Sequence, residues 1–166
     1  GVNFKYEYSY EEAGLLIQKY VSAWRIEIEE YFSLVLFNFL FSNGDAHLKN
    51  FSLLESSKGD YLLSPAYDLL NTHLHVDDSD FALDKGLFAD DFKSEKYKKN
   101  GHPNKSDFEE FAKRIGVSEN RTEKLLHQFL EKQQLIETLI AHSFLTDANK
   151  RGYLMMYQNK RNFLLA

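Results

Sequence analysis

The residues best suited to chemistry run Asn43-Gly44-Asp45-Ala46-His47-Leu48-Lys49-Asn50, and Ala66-Tyr67-Asp68 follows a short way on. A carboxylate, an amide five positions later and then a second carboxylate are the groups that phosphoryl transfer needs. One carboxylate accepts or orients the proton of an attacking hydroxyl, while an Asn and a further Asp hold magnesium against nucleotide phosphates. Asp45 and Asn50 have the Asp-x-x-x-x-Asn spacing of a catalytic loop built for that purpose. Asp68 lies where a short hairpin would fold it back over the loop. The spacing alone is a weak signal, because Asn, Asp and Gly also abound in helix C-caps and turns. On that reading Asp45 and Asn50 serve a turn, and Asp68 caps the one at Leu69-Leu70-Asn71. It is the joint arrangement that favours chemistry.

Positioning such groups requires a firm element in front of the loop, and the sequence provides one. A helix is expected over Ile26–Ser42, with Glu27, Glu29 and Glu30 in its N-terminal half, where they complement the macrodipole. Its second half, Phe32 to Phe41, is apolar nearly all round and reads as buried on most sides. Asn43-Gly44 then stops it. An earlier helix, Tyr10–Ser22, opens on a Ser9-x-x-Glu12 capping box. Phe51–Leu54 and Tyr61–Leu63 flank Ser56-Ser57-Lys58-Gly59 and read as a β-hairpin, with Pro65 ending its second strand. Asn71–Gly86 reads as an acidic loop with one short strand at Phe81–Leu83. Ser106-Asp107-Phe108-Glu109 is a second capping box, opening a short helix that closes at Gly116. One long helix from Glu119 to about Ser143, capped by Ser118, and a last helix over Asp147–Leu164, weakened at Gly152, complete the chain. The expected fold class is mainly α (α+β), a helical bundle with a small β-hairpin after the catalytic loop, in a single domain over 1–166.

Phe39 to Ser52, a Phe- and Leu-rich helix end followed by Asn-Gly-Asp-Ala-His-Leu-Lys-Asn-Phe-Ser, resembles the Asp-x-His-x-Lys-Asn-Phe-Ser signature of HipA-like kinases. Leu63-Ser64-Pro65-Ala66-Tyr67-Asp68-Leu69-Leu70 resembles the same family's Leu-x-Pro-x-Tyr-Asp segment. Phe81-Ala82-Leu83 and Ser143-Phe144-Leu145 match more weakly. The resemblance is strongest over Glu29–Gly86 and implies a kinase-like C-terminal lobe. It further implies a bacterial, cytoplasmic serine/threonine kinase of a toxin–antitoxin module, using ATP and Mg2+. By matched position Asp45 would be the catalytic base, and Asn50 and Asp68 would bind the metal and nucleotide. His47 and Lys49 would support the loop geometry or contact phosphate. The implied partners are a protein substrate, of the aminoacyl-tRNA synthetase kind, and an antitoxin.

A kinase also needs an N-lobe with a phosphate-covering loop and a lysine on the phosphates. The eight glycines here are scattered, and no Gly-x-Gly-x-x-Gly or Walker-type loop occurs. The expectation is therefore a C-lobe with little or no activity alone, being either part of a longer kinase, a C-lobe-only gene product or half of a split kinase that joins an N-lobe partner. The alternative is a non-catalytic kinase-like module that binds an antitoxin or complementary subunit.

Composition narrows the remaining classes. Hydrophobic residues make up 43% and aromatics 15%, so a packed core is expected. The absence of cysteine excludes disulfides and thiol chemistry. A net charge of −5 argues against direct nucleic-acid binding. No apolar run is long enough to span a membrane. His73, His75, Asp77, Asp78 and Asp80 offer a rival metal set if the segment is a strand, although a solvated loop explains them as well. Lys93, Lys96, Lys98, Lys99 and Lys105 read as a mobile basic loop. No Ser-His-Asp order calls for nucleophilic catalysis.

Overall fold

The apolar run before the loop sets the architecture. In the computed structural model, which describes residues 3–165, the chain forms seven α-helices, three short 3-10 turns and one hairpin among the described residues. In order the α-helices and strands are α1 (Tyr10–Tyr20), α2 (Trp24–Leu40), β1 (Leu53–Glu55), β2 (Tyr61–Leu63), α3 (Glu95–Asn100), α4 (Lys105–Arg114), α5 (Glu119–Leu130), α6 (Gln133–His142) and α7 (Asp147–Leu165). The expected fold class is what is found: mostly helical, with one small antiparallel hairpin. In that hairpin Leu53 pairs with Leu63, Leu54 with Leu62 and Glu55 with Tyr61.

Helix α2 is the central post. Ile28, Tyr31, Phe32, Val35, Leu36, Phe39 and Leu40 are buried, and α1, α5 and α7 pack against it. Each such side chain contributes roughly 1.5–3 kcal/mol when removed from water. Phe108 and Phe111 of α4 complete the aromatic centre, with the ring of Phe39 5.1 Å from that of Phe108. Tyr31 donates to the carbonyl of Tyr10 at 2.9 Å, which ties α1 to the post.

Several boundaries differ from expectation, each for a physical reason. α1 opens on the expected box, with Ser9 Oγ accepting from the Glu12 N–H and Glu12 accepting from the Ser9 N–H. It ends at Tyr20 because Val21 turns extended and buries. Phe81–Leu83 is not a strand. Phe81 and Leu83 are buried, but the backbone that follows goes to the start of α1: Gly86 and Leu87 accept from the N–H groups of Tyr10 and Glu11. The basic stretch is not a mobile loop but contains α3, capped by Ser94 and closed by left-handed Gly101. The box of α4 lies two residues earlier than expected, on Asn104 and Asp107. Asp107 is fully buried and accepts from Ser94 and Asn104, so it joins α3 to α4. The expected long helix is two, α5 and α6, broken at Glu131-Lys132. Four polar residues, 131–134, interrupt the apolar stripe there, and Arg161 of α7 donates to the freed carbonyl of Leu130. Gly152 leaves α7 continuous.

Candidate active site

α2 ends in a reversal that starts the loop. Ser42 N–H donates to the Phe39 carbonyl and Asn43 N–H to that of Asn38, with Ser42 left-handed at φ 56°. This is a Schellman ending whose left-handed position is normally glycine. The sequence placed the stop at Asn43-Gly44; the left-handed residue is Ser42 instead. Gly44 is required for a different reason, since a Cβ there would lie 2.3 Å from Cβ of Asp78.

From this reversal Asn43, itself buried, organises the loop. Its amide donates to Asn38 Oδ1 at 2.8 Å and to the backbone carbonyl of Asp68 at 3.1 Å. Its Oδ1 accepts from the Asp45 N–H at 3.3 Å. Thr72 adds a second tie, accepting from the Gly44 N–H at 2.9 Å while its own N–H donates to the Ser42 carbonyl. Tyr10, whose hydroxyl burial pushes far above its ordinary pKa, donates to the carbonyl of Ala46 at 2.7 Å.

Asn50 and Asp68 are brought into direct contact. Asn50 closes a 3-10 turn over Leu48–Asn50, and its Nδ2 donates to Asp68 Oδ2 at 2.7 Å. Asn50 Oδ1 is buried with no hydrogen-bond partner. Asp68 is exposed and left-handed at φ 57°. Asp45, also exposed, joins this pair through Asn43 and accepts from the Tyr6 hydroxyl at 3.1 Å. His47 lies behind it, with Tyr6 edge-on to its ring at 5.6 Å and its Nδ1 buried without a partner. Lys49 is exposed; its carbonyl, rather than its amine, is engaged, by the Tyr67 hydroxyl that also meets Ser52 Oγ. An unsatisfied amide oxygen beside a carboxylate is a donor pair that suits a hard cation, which takes one or two protein oxygens alongside phosphate and water.

The rival metal set does not assemble. His73 lies in a 3-10 turn and contacts the Ser79 carbonyl, and Asp80 is paired with Lys160 and His102. Among the described residues no three His, Cys, Asp or Glu side chains are placed to hold a metal. Nor is any helix among them long and apolar enough to cross a membrane. Sequence reasoning misses Tyr6, Asn43 and Thr72: Asn43 has the type and place of a helix stop, and nothing near Tyr6 in the sequence points to residue 45.

The family model of the HipA-like C-terminal domain matches residues 1–135. The chain belongs to that family. It is 41% identical over 56 residues to a Sinorhizobium fredii protein named "Putative kinase Y4dM", covering 34% of this chain and 14% of that protein. A Haemophilus influenzae protein named "Putative kinase" is 22% identical over 163 residues, covering 92% of this chain and 46% of the relative. Among solved structures, a chain of the Shewanella oneidensis toxin–antitoxin complex of HipA, HipB and operator DNA matches with a TM-score of 0.72. That match is at 18% identity, over 95% of this chain and 36% of the other, and so concerns the fold alone. The HipA-like segment thus spans under half the length of the relatives it matches.

Proposed function

We propose that residues 1–166 form one domain, the C-lobe of a serine/threonine kinase that transfers the ATP γ-phosphate to a protein hydroxyl. The reading rests on one observation: the Asn50–Asp68 contact leaves Asn50 Oδ1 buried and unsatisfied beside an exposed carboxylate. A buried acceptor without a partner costs about 1–3 kcal/mol, a cost that a bound cation removes. Asn50 and Asp68 would hold magnesium, which when bound neutralises phosphate charge. Asp45 takes the acceptor hydroxyl's proton, and the Tyr6 hydrogen bond fixes the carboxylate's orientation. Asn43 sets the separation between Asp45 and Asp68. His47 and Lys49 support the loop, Lys49 through its carbonyl, and its exposed amine is available to phosphate. The phosphate-covering loop and its lysine come from residues outside this domain. On this reading the setting is cytoplasmic, the partner is an antitoxin and the substrate is a protein such as an aminoacyl-tRNA synthetase.

A second reading, a non-catalytic module, is favoured by the exposed Leu15, Leu16 and Tyr20 of α1, which offer a partner an apolar face. Calorimetric titration with Mg-ATP, with and without the product of an adjacent gene, separates the two. The kinase reading expects binding that Asp68→Ala abolishes. No binding under either condition, or equal binding by Asp68→Ala, leaves the module reading in its place.

A further inference from the structure

A cavity of about 620 Å3 lies between the end of α2, the 77–86 segment and α7, and no residue of the proposed transfer site lines it. Its charges do not balance. Asp80 is ion-paired within the wall with Lys160 and hydrogen-bonded to His102, and Lys85 pairs outward with Glu12. Lys93 lies over the ring of Tyr97. Among the described residues that leaves Asp77, Asp78 and Asp84 with no ion-pair partner against one lining lysine, Lys93, in the same position, a surplus of carboxylate. Ser42 lines the same cavity. It is 4% exposed, and its Oγ has no hydrogen-bond partner. A serine held left-handed at φ 56°, where glycine would be unstrained, keeps a buried hydroxyl at some cost in stability. Phe81, Met156 and Phe163 supply an apolar wall.

Unpaired carboxylates, one unsatisfied hydroxyl and an apolar wall together suit a long side chain with a cationic head. The head donates to the carboxylates and to Ser42 Oγ, and the stem lies along the aromatic wall. The cavity is tied to the transfer site by the chain itself. Ser42 is three residues from Asp45, so their Cα atoms are at most about 11 Å apart. Asp78 is packed directly on Gly44. An extended peptide covers that distance in about three residues. We propose that this cavity selects the substrate, taking an arginine or lysine within about three residues of the hydroxyl that is phosphorylated. The inference rests on the kinase reading for the word substrate, and on the cavity for the cation.

Fluorescence anisotropy tests it with labelled, end-blocked heptapeptides: one with a central serine and arginine three residues to either side, and one with citrulline in place of arginine. The wild-type chain is expected to bind the arginine peptide at least tenfold more tightly. Asp77→Asn/Asp78→Asn removes that preference. Glu119→Gln/Glu123→Gln, an equal loss of charge on α5, keeps it. Ser42→Gly weakens arginine-peptide binding several-fold while raising the melting temperature, so the loss cannot be ascribed to misfolding. Equal binding of the two peptides, or equal loss in the cavity and α5 variants, overturns the proposal. Titration of the same wild-type sample with Mg-ATP, alone and with the product of the adjacent gene, keeps the two readings apart. Arginine preference without nucleotide binding removes only the kinase reading, and nucleotide binding without arginine preference removes only this one.

Discussion

Asn43 is chemically inert, yet three groups of the site depend on it. Its amide reaches Asn38 and the carbonyl of Asp68, and its oxygen takes the N–H of Asp45. Asp68 occupies a left-handed conformation that costs a non-glycine residue of order 1 kcal/mol, and the bond from Asn43 helps to hold it there. Asn43→Ala leaves Asn38 Oδ1 without its buried donor and frees the Asp68 backbone. A loss of about 2–3 kcal/mol is expected in urea denaturation, together with weaker Mg-ATP binding. A change below about 0.5 kcal/mol with nucleotide binding intact would show that the site does not depend on Asn43. The reactive types were legible in the sequence, because Asp45, Asn50 and Asp68 announce their chemistry by type and spacing. Asn43 and Tyr6 were not, because the partner an amide or phenol finds depends on a chain path that spacing does not encode. Tyr6 meets Asp45 across 39 positions.

Elements were legible where one stripe or one cap decided them. The Ser9–Glu12 box is found as expected, and the buried α2 and the hairpin are found with shifted ends, α2 at Trp24–Leu40 rather than Ile26–Ser42 and the first strand at Leu53–Glu55 rather than Phe51–Leu54. In contrast α3, the Asn104 cap and the α5–α6 break depend on tertiary partners such as Asp107 and Arg161. The α1 cap also carries a pH dependence. Burial opposes ionisation of Glu12, but the N–H and hydroxyl of Ser9 and the amine of Lys85 outweigh it and hold the carboxyl below its ordinary pKa. The unfolded chain then binds the proton more readily. The stabilisation is present in full above the ordinary value of about 4.3 and is lost as pH falls through it toward the folded value. Glu110, held down by Arg114, adds to the same limb. Glu12→Gln keeps a side chain able to close the box, so stability at pH 7 should change by less than about 1 kcal/mol. Its decline between pH 5 and pH 3, followed by denaturant midpoints, should be shallower than that of the wild type. An unchanged acid limb would mean that Glu12 contributes nothing to it.

At the scale of the molecule, the family match stops at residue 135, yet α7 is part of the core: Tyr157 and Leu164 are buried and the ring of Phe41 stacks on Tyr157. Its deepest polar contact is Lys160, 8% exposed, paired with Asp80 and lying over the ring of Phe39 at 4.6 Å. One side chain therefore connects the last helix, the central helix and the loop that walls the 620 Å3 cavity. Such a pair is weak evidence for stability in itself, because desolvation offsets the attraction, but removing one partner strands the other charge. Lys160→Met leaves Asp80 with His102 as its remaining partner and should cost about 3–5 kcal/mol. Asp80→Asn leaves the ammonium of Lys160 uncompensated and should cost a similar amount. Because the two losses share a cause, Asp80→Asn/Lys160→Met should be at least 2 kcal/mol more stable than the sum of the single losses implies. Urea denaturation of the four proteins measures that coupling directly. Additive single losses would mean that packing alone, through Tyr157 and Leu164, holds α7 in place, and that the charge pair has no part in joining it to the loop.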